Sequence, residues 1–178
     1  FLFKTFAFLV GAVFVMHTFG MGMRWYVSGY APWSNSYETM VYVGWATMLG
    51  GLLFIRRSPI TFALASLFTG VILFVSGLNW MDPQINALVP VLKSPWLMFH
   101  VAVIVAAYGF FGISTLLGLF NLILMCFGKK QKGLLMPKIQ EFTIINEMSM
   151  LIGLILMTVG TFLGAVWTNE SWGRYWGW

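Results

Sequence analysis

Charge is what this sequence has least of. Only 8% of its 178 residues are Asp, Glu, Lys or Arg, against about 25% in a soluble globular domain. Its five acidic residues form no paired-carboxylate constellation, and no Ser-His-Asp or phosphate-loop pattern accompanies them, which argues against ordinary hydrolase or nucleotide chemistry. The single cysteine, Cys126, rules out a disulfide framework and a thiolate metal site. It reads as a reduced, buried thiol near a helix end. Histidine is nearly as scarce, with only His17 and His100.

Apolar side chains fill the space. At 60% hydrophobic the chain is an integral membrane protein. The first apolar run is too long for a cleavable signal and lacks a small-residue cleavage site. Apolar segments of membrane-crossing length lie at approximately 5–23, 37–54, 60–78, 96–120 and 148–166, the fourth staying apolar as far as Phe127. They predict an all-α, polytopic transmembrane helical bundle of five spans in a single membrane domain. The 79–95 loop, with three prolines, has no helical period.

A net charge of +5 could suggest nucleic acid, but the basic residues sit in short hydrophilic breaks and serve better as topology signals. Lys4, Arg56, Arg57, Lys129, Lys130, Lys132 and Lys138 fall on one side, and Arg24, Lys93 and Arg174 on the other. The positive-inside rule puts the first side, and the N-terminus, in the cytoplasm.

Tryptophan is abundant and unevenly placed. Four of nine lie in the last twelve residues, as Trp167, Trp172, Trp176 and Trp178. Trp25, Trp33, Trp80 and Trp96 also fall on or beside the outer face, leaving only Trp45 elsewhere. An interfacial aromatic belt populates both membrane surfaces; one-sidedness favours an outward platform for a flat apolar ligand. Gly173 and Gly177, between the rings, would let such a group approach the backbone.

His100 follows Ser94-Pro95, which reads as an N-cap and first helical residue. It therefore sits about one turn into a helix at the outer interface, on the same face as Trp96. Neutral imidazole is a good axial ligand for haem iron; a hydrogen bond to a neighbouring helix is the simpler reading of a lone histidine. His17, in the outer half of the first span, reads as packing. Glu38 reads as a first-turn residue at a helix N-terminus. Glu141 and Glu147 belong to an inner loop and helix entry, where lysines can pair with them. The small residues Gly160 and Gly164, and Ser114 and Gly118, allow close helix approach.

Three stretches carry a family resemblance. The tail Gly164-Ala-Val-Trp167-Thr-Asn169-Glu-Ser-Trp172-Gly173-Arg174-Tyr175-Trp176-Gly-Trp178 resembles the tryptophan-rich "WWD" signature of haem-handling membrane proteins. Within them it is most similar to the system II cytochrome c biogenesis family, CcsA/ResC. Pro32-Trp-Ser-Asn35-Ser-Tyr37-Glu38-Thr39 resembles that family's Pro-x-x-Asn-x-Tyr-Glu-Ser segment, and Leu88 to Val101 resembles its segment bearing the first external haem-ligating histidine. The family motif continues past the position of Trp178, and the chain begins without Met, so a fragment of a longer protein is expected.

The resemblance implies that the intact protein holds haem b at the outer face for covalent attachment to apocytochrome c, as part of a cytochrome c synthase. It implies that His100 ligates the iron and that Trp96, Trp167, Asn169, Trp172, Gly173, Arg174, Tyr175, Trp176 and Trp178 hold the macrocycle. Arg174, set amid aromatic rings, can by its own chemistry hold a haem propionate bidentately, at a position that varies in the family. A second membrane subunit of CcsB/ResB type, sometimes fused, is the implied partner, in a bacterial cytoplasmic membrane or a thylakoid. A system I haem-handling or haem-lyase protein is the neighbouring alternative. A secondary transporter is the alternative of another class, disfavoured because no acidic residue falls mid-span.

Overall fold

The computed structural model describes residues 1–78, 80–88, 93–127 and 132–175. Five helices account for nearly all of them: α1 (Leu2–Ser28), α2 (Ser36–Phe54), α3 (Pro59–Ser76), α4 (Pro95–Phe127) and α5 (Lys132–Trp172). No strand occurs among the described residues. The all-α bundle expected from the apolar runs is the observed architecture, and the molecule is a multi-pass membrane protein.

Local chemistry sets the boundaries. Gly29, at φ 72°, closes α1 by donating its N–H to the Trp25 carbonyl, a left-handed cap that favours glycine. α1 therefore runs past Arg24 and Trp25, which the apolar pattern places in a loop. Asn35 caps α2, its side chain accepting the Glu38 N–H at 2.8 Å. Ser58 caps α3 through the Thr61 N–H at 3.3 Å, with Pro59 as first residue. α4 starts at Pro95 as the Ser-Pro pair predicts.

The largest departure is α5. Residues 132–147 read as loop and helix entry, yet helix begins at Lys132 and tolerates Pro137 near its start. Glu141 and Glu147 thus lie on a helix; Lys138 pairs with Glu141 at 3.4 Å. At about 1.5 Å per residue, α4 and α5 reach roughly 50 and 60 Å, well beyond a hydrocarbon core of about 30 Å.

Four helices, α1, α3, α4 and α5, are long and apolar enough to cross a membrane. α2 is not among them, and its position explains why. It packs against α3 and α4, with Tyr42, Gly44, Ala46, Thr47, Met48, Gly50, Gly51 and Phe54 buried. Small and polar side chains there meet protein, where an apolar surface for lipid is unnecessary. α1, by contrast, has no buried residue, and only one stripe of it, with Phe14, His17 and Arg24, is half-covered.

Within a membrane, helices associate through packing and interhelical hydrogen bonds. The most extensive pair is α4 with α5. Ser114 donates to Asn146, and Asn121 Nδ2 to Thr143 Oγ1 at 3.2 Å. Thr69 Oγ1 joins α3 to the Gly44 carbonyl of α2 at 3.2 Å. Where α2 crosses α4, a Cβ on Gly109 would lie 2.8 Å from the Thr47 nitrogen. The apolar core of Phe54, Ala65, Ile113, Leu117, Phe142 and Ile145 ties the bundle together toward the end bearing Arg56 and Arg57. Cys126 is near a helix end as expected, but it is exposed. Its position on the outer surface of a long helix overrides the burial usual for a free thiol.

Candidate functional site

Hydrogen bonds gather the other ends of the helices into one aromatic assembly. Trp33 lies between Trp25 (centroids 5.4 Å apart) and Tyr42 (4.8 Å). Its indole N–H reaches across to the Met98 carbonyl on α4 at 3.0 Å. Tyr42 stacks on Trp45, which stacks on Phe14 of α1. Trp25 and Trp33 therefore join a packing network and line pockets with Met98, one of about 460 Å³ beside Tyr30, Leu88 and Lys93. Trp80 stands free in solvent contact.

The His100 site is built by α4 and α5. The imidazole is half-buried against α5, with Nδ1 at 2.7 Å from the Gly160 carbonyl. That contact requires Nδ1 to carry the proton, which leaves Nε2 with its lone pair in a neutral ring. Nε2 has no hydrogen-bond partner among the described residues. The ring fits because Gly164 has no side chain: a Cβ there would sit 2.6 Å from Cε1 and 2.7 Å from Nδ1. Gly164, read as a general helix contact, thus makes room for this histidine, while Gly160 makes room for Ile104 and offers the ring its carbonyl. A hydrogen bond from one imidazole nitrogen to a backbone carbonyl is the usual way to orient a metal-ligating histidine. Of the two readings of a lone histidine, the hydrogen bond to a neighbouring helix is the one observed.

Trp167, one turn beyond Gly164, meets Trp172 edge to face at 5.1 Å. Its Nε1 is buried without a partner among the described residues. Trp172 and Tyr175 are largely exposed, Arg174 is exposed, and Asn169 is partly covered. Gly173, at φ 69°, ends α5 by donating its N–H to the Asn169 carbonyl at 2.8 Å, so Asn169 contributes its backbone to the turn. Trp96, partly exposed, stands one turn before His100 on α4. Trp176 and Trp178 lie outside the described residues.

His17 lines a mostly apolar groove of about 340 Å³ with Phe6, Phe14, Met48, Thr69 and Leu73. Its Nε2 is enclosed without a partner among the described residues, a cost that packing by itself does not offset. No cluster of three or more His, Cys, Asp or Glu residues occurs among the described residues.

Sequence reasoning missed one element of this end. By sequence alone Arg24 carries only a sidedness, and Glu38 only helix capping and loop packing, with contact to a cofactor or partner as the lesser alternative. The two form an ion pair of 2.6 Å, and Glu38 is 1% exposed. The available signal was a lone acid and a lone arginine on either side of a short connection.

The fold and the His100 site define a polytopic membrane protein with an aromatic end and an oriented imidazole. The chain belongs to the cytochrome c assembly protein family, whose model matches residues 33–178. It is 49% identical to protein NrfI of Wolinella succinogenes over 166 residues, which is 93% of this chain and 18% of that protein. It is 32% identical to cytochrome c biogenesis protein CcsA of Guillardia theta over 182 residues, covering 89% of this chain and 60% of the relative. The CcsA protein of Chlamydomonas reinhardtii is 34% identical over 169 residues, covering 88% and 46%. The chain thus spans less than two thirds of these relatives' lengths.

Proposed function

We propose that this chain is the haem-presenting part of a cytochrome c synthase, holding haem b at the aromatic end with His100 Nε2 as an axial ligand. One observation carries the reading: Nδ1 is committed to the Gly160 carbonyl at 2.7 Å, leaving Nε2 available to a metal. A haem substrate brings the vinyl groups, across which apocytochrome thiols add, S–C bonds forming and the thiol hydrogen passing to the other vinyl carbon. The chain's own residues bind and orient. Trp167, Trp172 and Tyr175 offer ring faces, Trp96 flanks the histidine, and exposed Arg174 can pair with a propionate carboxylate.

The same reading places the aromatic end on the periplasmic or lumenal side of a bacterial cytoplasmic or thylakoid membrane. Apocytochrome c and a CcsB/ResB-type subunit, separate or fused, are its partners.

His100→Gly tests the ligand directly. The variant of the full-length protein is expected to lose haem, and added imidazole is expected to restore it, because a free ring can enter the seat beside Gly164. The readout is haem content and Soret position, with and without imidazole. An unchanged spectrum in both conditions removes His100 from the site.

A further inference from the structure

We infer that Glu38 is a positioning residue for the His100 site, holding the first turns of α4 and the strap of residues 82–86 in place through two separate arms. The inference rests on the haem-ligating reading of His100. A carboxylate buried to this extent is costly unless its charge is paired and hydrogen-bonded. Both oxygens of Glu38 are engaged: Oε1 by Arg24 Nε at 2.6 Å, and Oε2 by the Ser34 N–H at 2.8 Å. Reciprocal capping at the start of α2, with Asn35 accepting the Glu38 N–H and Glu38 Oε2 accepting the Ser34 N–H, accounts for one oxygen; it does not account for Oε1 on Arg24. Oε1 therefore serves something beyond its own helix, and Oε2 ties the segment before α2 to it.

The first arm runs through Arg24. With Nε fixed on Glu38, Nη2 donates to the carbonyls of Pro83 at 2.9 Å and Gln84 at 3.4 Å, over the Tyr37 ring. The strap so held is stiff in itself. The Asp82 carboxylate accepts from the Gln84 N–H and from Asn86 Nδ2, and Tyr30 Oη donates to the Asn86 carbonyl. The second arm runs through Ser34. Fixing its N–H fixes the adjacent Trp33, which is wedged between Trp25 and Tyr42 and donates to the Met98 carbonyl. Met98 is two residues before His100. Both arms thus end on the chain leading into, or on, the turn that presents the imidazole.

The experiment uses the full-length protein, with two readouts taken side by side. The first is independent of haem: the rate at which an impermeant maleimide labels Ala87→Cys in a Cys126→Ser background. The second is haem occupancy and Soret position. Glu38→Ala is expected to speed labelling several-fold and to lower haem affinity by about tenfold or more, the range typical of residues that orient a metal ligand. Arg24→Lys keeps the charge but lacks the fork that spans Glu38 and the two carbonyls. It is expected to show the same pair of changes in milder form, and it serves if Glu38→Ala fails to accumulate. The exchanged pair Arg24→Glu with Glu38→Arg is expected to restore neither readout, because a carboxylate at 24 cannot donate to the strap.

Faster labelling with a wild-type haem spectrum would reduce Glu38 to a loop anchor and overturn the inference. Restoration of both readouts by the exchanged pair would overturn it as well, since ion pairing alone would suffice. Absence of haem from the unmodified protein counts against the His100 reading instead, and the labelling rate then decides whether the clamp exists.

Discussion

At the scale of single residues, Gly164 decides whether His100 can occupy its seat. A methyl at this position would overlap the imidazole, and the ring would have to swing away from the Gly160 carbonyl. Gly164→Ala is therefore expected to shift or abolish the haem spectrum while the protein still inserts. Gly118→Ala, on the same helix pair but 3.7 Å from its nearest neighbour, Asn146 Nδ2, is the control expected to change little. Equal spectra for the two variants would show that the histidine does not depend on this seat. Much of this was legible in advance. Ser94-Pro95 located the helix start, and with it the depth of His100. The spacing of Gly160 and Gly164 announced a close approach, but not what approaches. A sequence shows which residue is small; only the pairing of helices shows what fills the space. For the same reason Arg24 and Glu38 could not be joined, since their bond depends on two helix ends converging.

At the scale of helices, the apolar runs located every element and misjudged several ends. α1 continues to Ser28 because nothing in Arg24-Trp25 breaks a helix, and the first residue suited to a left-handed cap is Gly29. The start of α5 was hidden for a related reason: charge marks where lipid ends, and helices can extend into water. Close contact between α2 and α4 makes its own prediction. A Cβ at Gly109 would meet backbone atoms of Thr47 and Ala46, which cannot rotate aside. Gly109→Ala is expected to destabilise the bundle by about 1–3 kcal/mol, the usual effect of overpacking a well-filled interface. Gly20→Ala on α1, with nothing within 4 Å, should be neutral or mildly stabilising, since alanine favours helix by up to about 1 kcal/mol over glycine. Thermal unfolding in detergent, followed by loss of monodispersity, compares the two; a Gly109 variant as stable as the Gly20 variant would contradict the close crossing.

At the scale of the molecule, the structure collects charge by end. Arg24 and Glu38 meet the strap near Trp33, while Lys4, Arg56, Arg57 and Lys138 lie toward the opposite end, where Phe6 packs on Phe62 and Phe142 joins the core. In the proposed orientation, Ala87→Cys in intact cells reacts with an impermeant thiol reagent, and Lys138→Cys reacts only after permeabilisation, both in a Cys126→Ser background. The reverse pattern would invert the protein in the membrane and put the His100 site in the cytoplasm. The relatives' greater lengths mean that these experiments belong to the full-length chain.

The modest apolarity of α2 has a consequence for synthesis. A nascent segment leaves the insertion machinery for lipid according to its own hydrophobicity, and α2 is the one helix whose composition suits protein neighbours better than lipid. It cannot be expected to settle alone while the ribosome is still making α3. The tight turn at Arg57 and Ser58, whose N–H groups bond back to the Phe54 carbonyl, delivers α3 directly beside it. α3, the more apolar of the two, is expected to supply the hydrophobicity for both, so that the pair enters the membrane as one unit before α4 covers it.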